Sequence, residues 1–140
     1  MNPEEHTLPE TRQYRVGDRF TLVRECDKYR PIYYAAASGD FNPIHIDSEV
    51  GAAAGLGGAI LHGLCTMAWA VESAVKYLGN PGKVTKVKVR FSRPVTIGDV
   101  LTFDGTVTQI AQGKLTAEIS AKNQKGEEVL KGAVVEARTN

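Results

Sequence analysis

The sequence predicts an α+β domain, an antiparallel sheet wrapped around one long central helix. Three observations point there. Strand-like and helix-like segments are segregated along the chain, which favours α+β over an alternating parallel sheet. One helical segment, Gly63 to Leu78, is apolar around most of its circumference, with Glu72, Ser73 and Lys76 as exceptions, and such a helix is buried. At least four runs of period-two character follow it, so a sheet is available to cover it.

The 140 residues are 42% apolar and 24% charged, with a formal net charge of +1. That length supports one core and is short for two domains. The near-neutral balance excludes the strongly basic surface of a nucleic-acid binder, and no apolar run is long enough for a transmembrane helix. Residues 1–15 are polar, with Pro3, Pro9 and three Glu. They are expected to form an N-terminal extension to a domain spanning 16–140. The opening residues lack the basic and apolar regions of a signal peptide, so a cytoplasmic protein is expected. Cys26 and Cys65 have no metal-ligand spacing and are expected to be reduced, buried thiols.

Along the chain, Val16-Gly17-Asp18 turns into a strand over Arg19 to Arg24. Asp27 is placed to cap a helix, Pro31 suits its first turn and Gly39 its left-handed end. Residues 39 to 63 are irregular, with six glycines, Pro43, His45 and His62; such a stretch between helices points to function. Asp47 and Ser48 are expected to cap a short helix over Glu49 to Ala54. After Gly79-Asn80-Pro81-Gly82, Val84, Val87, Val89 and Phe91 intersperse with Lys83, Lys86, Lys88 and Arg90, a half-buried strand. Further strands are expected over Val100 to Ala111, Leu115 to Lys122 and Val129 to Ala137, with Gln112-Gly113 as a hairpin turn. Such a sheet has free edges, and pairing of two copies would cover one edge of each.

Chemistry concentrates in Asp40-Phe41-Asn42-Pro43-Ile44-His45. Pro43 holds Asn42 extended and stiffens the loop. A carboxylate and an imidazole so held can share one water or hydroxyl as acid and base. The spacing alone better fits a capping Asp and a His bonded to a carbonyl. A metal site from His45, Asp47 and His62 has no supporting ligand spacing, and no nucleophile elbow surrounds Ser38. Gly63 falls at the helix start, where unpaired amides sit at the positive end. Its amide can hold a carbonyl oxygen that gains negative charge. The Gly55 to Gly58 run lacks a dinucleotide-binding register.

The segment Tyr34-Ala35-Ala36-Ala37-Ser38-Gly39-Asp40-Phe41-Asn42-Pro43-Ile44-His45-Ile46-Asp47 resembles the hydratase motif of the MaoC-like dehydratases. These are hot-dog-fold enzymes that include R-specific enoyl-CoA hydratases and 3-hydroxyacyl-thioester dehydratases. Leu61-His62-Gly63-Leu64 resembles the family's second hallmark, and Lys88 to Val95 followed by Gly98-Asp99 its strand signature. The resemblance spans about residues 16 to 137. It implies a single hot-dog fold and addition of water to, or its removal from, a trans-2-enoyl or (R)-3-hydroxyacyl thioester of CoA or acyl-carrier protein. By resemblance Asp40 and His45 are the catalytic pair, the Gly63 amide holds the thioester oxygen, and Asn42 and His62 contribute to substrate binding. No cofactor and no metal are implied. The implied partners are the acyl thioester and a second copy of the chain, as a homodimer or higher oligomer; a different hot-dog subunit remains open.

Lys86, Lys88 and Arg90 share one strand face. With Arg93 they are candidates for the phosphates of the carrier, against the alternative of a plain solvated face. Tyr33, Tyr34, Met67 and Trp69 are either acyl-tunnel or core residues. Two alternatives to a hydratase are a hot-dog thioesterase using Glu72, the sole acid on the long helix, and a non-catalytic acyl-thioester-binding subunit of a hetero-oligomeric dehydratase. Two positions depart from the family pattern: Ala68, where some R-specific hydratases carry Ser, and Gly51, where Ala or Ser is common.

Overall fold

The computed structural model describes residues 13–140, so most of the expected extension lies outside the described residues. The elements run β1 (Arg19–Glu25), α1 (Arg30–Ser38), α2 (Pro43–Ile46), α3 (Ser48–Ala53), α4 (Gly63–Leu78), a 3-10 turn over Pro81–Lys83, β2 (Val84–Phe91), β3 (Val100–Ala111), β4 (Lys114–Lys122) and β5 (Glu128–Arg138). The five strands form one antiparallel sheet in the order β1-β3-β4-β5-β2. All five touch α4, which is the expected hot-dog arrangement.

The apolar circumference of α4 explains its place. Cys65, Trp69, Ala70 and Ala74 pack against Leu22, Phe103, Ile119, Leu130 and Val135 from the sheet. Leu78, at the far end of the helix, joins a second cluster with Val107, Leu115 and Ala137. Gly79, at φ +80°, ends the helix in the left-handed region. Beyond the second cluster Tyr14 folds back, its hydroxyl donating to the Leu78 carbonyl at 2.6 Å.

Two strand glycines shape the sheet. Gly105 pairs in register with Phe20, and a Cβ on it would fall 2.1 Å from the Phe20 ring. The missing side chain lets that ring lie across β3 and stack on Tyr77, centroids 5.1 Å apart. Gly132, at φ +57°, sits where β5 slips register against both β2 and β4. The extra residue bends the strand there, as a bulge does.

The short elements between α1 and α4 refine the expectations. Asp27 does act at the start of α1, accepting from the Tyr29 and Arg30 amides at 2.9 Å. Asp47 caps α3 through the Glu49 and Val50 amides, as expected, and the helix begins one residue earlier, at Ser48. The turn of helix α2 was not anticipated. Both cysteines are buried and free; burial pushes the Cys26 thiol up to about 12 and Cys65 to about 11. No helix of the described residues is long and apolar enough to cross a membrane.

Candidate active site

The site begins where α1 ends. Gly39, at φ +78°, closes that helix by donating its amide to the Ala35 carbonyl at 2.8 Å. The chain turns out and Asp40 follows. Its Oδ1 accepts from the Asn42 amide at 3.2 Å, so the carboxylate braces its own loop. Asn42 is extended, φ −54° and ψ 128°, as a residue before proline must be. Its Oδ1 caps α2 by accepting from the Ile44 amide at 3.2 Å.

That single helical turn carries His45 inward, to 9% exposure. His45 Nδ1 lies 2.8 Å from the Ile60 carbonyl oxygen. A carbonyl only accepts, so Nδ1 carries a proton, and in that tautomer the lone pair is at Nε2. Nε2 stands 3.8 Å from Asp40 Oδ2, and the Asp40 side chain is 53% exposed. The capping and carbonyl-bonding roles that rivalled the catalytic one are thus both filled, by Oδ1 and Nδ1. They leave Oδ2 and Nε2 free to face each other, and two acceptors at that distance can share one water that donates to both.

His62 lies behind the pair, at 2% exposure. Its Nε2 donates to the Asp40 carbonyl at 2.9 Å. Its ring stacks on His45, centroids 3.8 Å apart and planes 21° from parallel. Gly63 follows directly and opens α4. First-turn amides have no acceptor within their own helix, and Gly63 lines a cleft of about 390 Å³ with Ile60, Thr66, Phe91, Arg93 and Val129 among the other walls. Asp40 and His45 do not line this cleft, but His45 is bonded to Ile60, one of its walls.

A family model described as the MaoC like domain matches residues 12–129. The chain belongs to the MaoC-like domain family. The relatives include the peroxisomal multifunctional enzyme type 2 of Drosophila melanogaster, 37% identical over 105 residues, which are 74% of this chain and 17% of that protein. A second is the peroxisomal enoyl-CoA hydratase 2 of Arabidopsis thaliana, 41% identical over 66 residues, 46% of this chain and 21% of that protein. The chain therefore spans about a fifth of the length of these relatives. Among solved structures, the R-hydratase PhaJ1 of Pseudomonas aeruginosa superposes with a TM-score of 0.81 at 26% identity, covering 89% of this chain and 82% of that one.

Within this MaoC-like domain the remaining expected residues separate. Arg93 stands at the cleft, its Nη2 2.9 Å from Glu127 Oε2. Lys86, Lys88 and Arg90 are exposed on β2 and outside the cleft lining. The Asn42 side chain is occupied as a cap. Trp69 is core, edge-on to Phe103, whereas Tyr33 is 62% exposed. Tyr34 packs its ring 4.7 Å from that of His62.

Glu72 is held by Arg24, which donates to it from Nε at 3.2 Å and also from Nη2, and by Lys76 at 3.5 Å. The Arg24 hydrogen bonds keep its carboxyl below the usual range, so Glu72 serves an ion pair. Thr66 was missed: it is buried and lines the cleft. A hydroxyl three residues after Gly63 on an apolar helix was the available signal.

Asp40, His45 and His62 place ligand-type atoms within 4.8 Å of one another, yet they do not suit one metal ion. A cation binds in the plane of an imidazole. The two rings are stacked nearly parallel, so a cation in one plane lies well off the other.

Proposed function

We propose that this domain adds water to a trans-2-enoyl thioester, or removes it from the corresponding (R)-3-hydroxyacyl thioester. One observation carries the proposal. The free Asp40 Oδ2 and the free His45 Nε2 face each other across 3.8 Å beside the start of α4. The family membership and the relatives named as enoyl-CoA hydratases support it.

The chemistry follows from the donors and acceptors. A water placed between Oδ2 and Nε2 is polarised by both. Asp40 takes its proton as the oxygen bonds to Cβ. The electron pair of the Cα=Cβ bond moves toward the thioester oxygen, which the Gly63 amide stabilises at the positive end of α4. The same proton then passes to Cα. One water supplies both H and OH, and the pair returns to its starting state. Dehydration is the reverse.

The 390 Å³ cleft beyond Gly63 takes a part of the thioester, with Arg93 at its edge for a carrier phosphate. CoA is the proposed carrier; an acyl-carrier protein is the other arm of the assay. Exposed Tyr29, Ile32, Tyr33, Phe41, Ile46 and Leu64 on the α1–α4 side, with the free edges of β1 and β2, support a homodimer. Free buried thiols suit a reducing compartment, and the cytoplasm is proposed.

Purified protein given crotonyl-CoA and longer trans-2-enoyl-CoAs should bleach the absorbance of the conjugated enoyl thioester and form the (R)-3-hydroxyacyl product. Loss of free thioester without a hydroxyacyl product would mean a thioesterase instead.

A further inference from the structure

We infer that His62 is a positioning residue that ties together Asp40, His45 and Gly63, and not a substrate ligand; this rests on the hydratase proposal above. Each link is a separate contact. The His62 Nε2–H donates to the Asp40 backbone carbonyl at 2.9 Å and so fixes the loop that carries the carboxylate. The ring lies flat against His45 at 3.8 Å between centroids and fixes the plane from which Nε2 projects. His62 is also the residue before Gly63 and the N-cap of α4, so any shift of its backbone moves the Gly63 amide.

Its burial leaves the ring almost no surface to offer a substrate. At 2% exposure the ring has Tyr34 at 4.7 Å as well as its His45 neighbour, and it does not line the cleft. Bonding to a carbonyl places a proton on Nε2, and in that tautomer the Nδ1 lone pair turns inward. That Nδ1 is buried with no hydrogen-bond partner among the described residues. An unpaired buried acceptor is costly in a core. Here the same ring supplies a donor to Asp40 O and a face to His45.

Two substitutions separate these links. His62→Gln keeps an N–H donor at nearly the reach of Nε2 and loses the ring. His62→Phe keeps a flat ring and loses the donor. Misplacing a reacting group by about 1 Å costs on the order of 10²-fold in rate. We therefore expect kcat to fall about 10- to 100-fold in the Phe variant and less in the Gln variant, with KM for the enoyl-CoA changed less than about twofold in both. A raised KM with wild-type kcat would make His62 a substrate ligand and overturn the inference; so would wild-type kcat in both variants.

A readout independent of turnover accompanies the kinetics. The sequence holds only three histidines, His6, His45 and His62, so the imidazole nitrogens of ¹⁵N-histidine-labelled protein are assignable by substitution. His62 should appear as the Nε2–H tautomer, its proton hydrogen-bonded to the Asp40 carbonyl. The Asp40 carbonyl carbon should shift in the Phe variant and hold near its wild-type position in the Gln variant. The opposite tautomer, or an Asp40 carbonyl indifferent to both variants, overturns the inference. Wild-type protein that shows these signals but hydrates no enoyl thioester sinks the hydratase proposal alone. If the Phe variant does not fold, the Gln variant decides by its kcat and KM.

Discussion

Gly51 stands so close to Gly58 that a methyl group on its α-carbon would fall 1.9 Å from the Gly58 carbonyl oxygen. The contact is backbone against backbone, and the Gly51 carbonyl itself accepts from the Leu56 amide at 2.9 Å. This accounts for glycine at a position where the resembling motif commonly has Ala or Ser: α3 here is pressed against the loop that returns to Ile60. Gly51→Ala must displace that loop, and forcing atoms into a packed site costs about 1–3 kcal/mol. Its urea midpoint should fall accordingly. Hydration should fall with it, because Ile60 supplies the carbonyl that holds His45. An unchanged midpoint would contradict the contact.

Gly63→Ala should behave in the opposite way. Its Cβ would lie 3.1 Å from the Phe91 ring, but that ring is 53% exposed and can swing outward. Ala is also the better helix former, by about 1 kcal/mol. Stability should therefore change by less than about 1 kcal/mol while kcat/KM falls about tenfold or more, as interference with an oxyanion donor does. Thermal melting and steady-state kinetics on the same preparation check both parts.

Glu72 gives a pH-dependent prediction and tests the thioesterase alternative. Its hydrogen bonds from Arg24 lower its pKa in the folded chain, so the folded state binds fewer protons than the unfolded state. The pair's contribution is therefore present above the ordinary value of 4.5 and is lost as pH falls through the lower folded value. Glu72→Gln should cost less than about 1 kcal/mol at neutral pH, since the pair is partly exposed. The difference from wild type should vanish in acid. Hydration should be unaffected, whereas a thioester-cleaving activity abolished by Glu72→Gln would assign the carboxylate to catalysis.

Cys26 and Cys65 should be inert to a thiol reagent in the folded protein. Burial raises both well above the ordinary thiol range, so little thiolate forms and little of it is accessible. Both should react together once the chain is unfolded in urea, in a colorimetric thiol titration.

The central helix was legible in the sequence because its signal is local. Gly63 and Gly79 bracket an apolar run, and the structure starts and ends α4 there. The Gln112-Gly113 turn was legible for the same reason, and both residues have positive φ, 53° and 75°. Asp40, Asn42 and His45 were legible as a stiff loop. The turn α2 was not, because four residues carry no helical period and the turn depends on the Asn42 cap. The stack of His62 on His45 joins residues far apart in sequence through tertiary packing, which no spacing encodes. The ion pair between Arg93 and Glu127 and the bulge at Gly132 are equally non-local, and each needs the neighbouring strand to be seen.

The most direct test of the account is the hydration rate of Asp40→Asn and His45→Ala beside wild type, followed by loss of the enoyl-thioester absorbance. Asp40→Asn removes the carboxylate that takes the water's proton, and His45→Ala removes the second group that holds the water. Each should cut kcat by about 10²-fold or more with the fold intact by circular dichroism. Wild-type kcat in both folded variants would contradict the account.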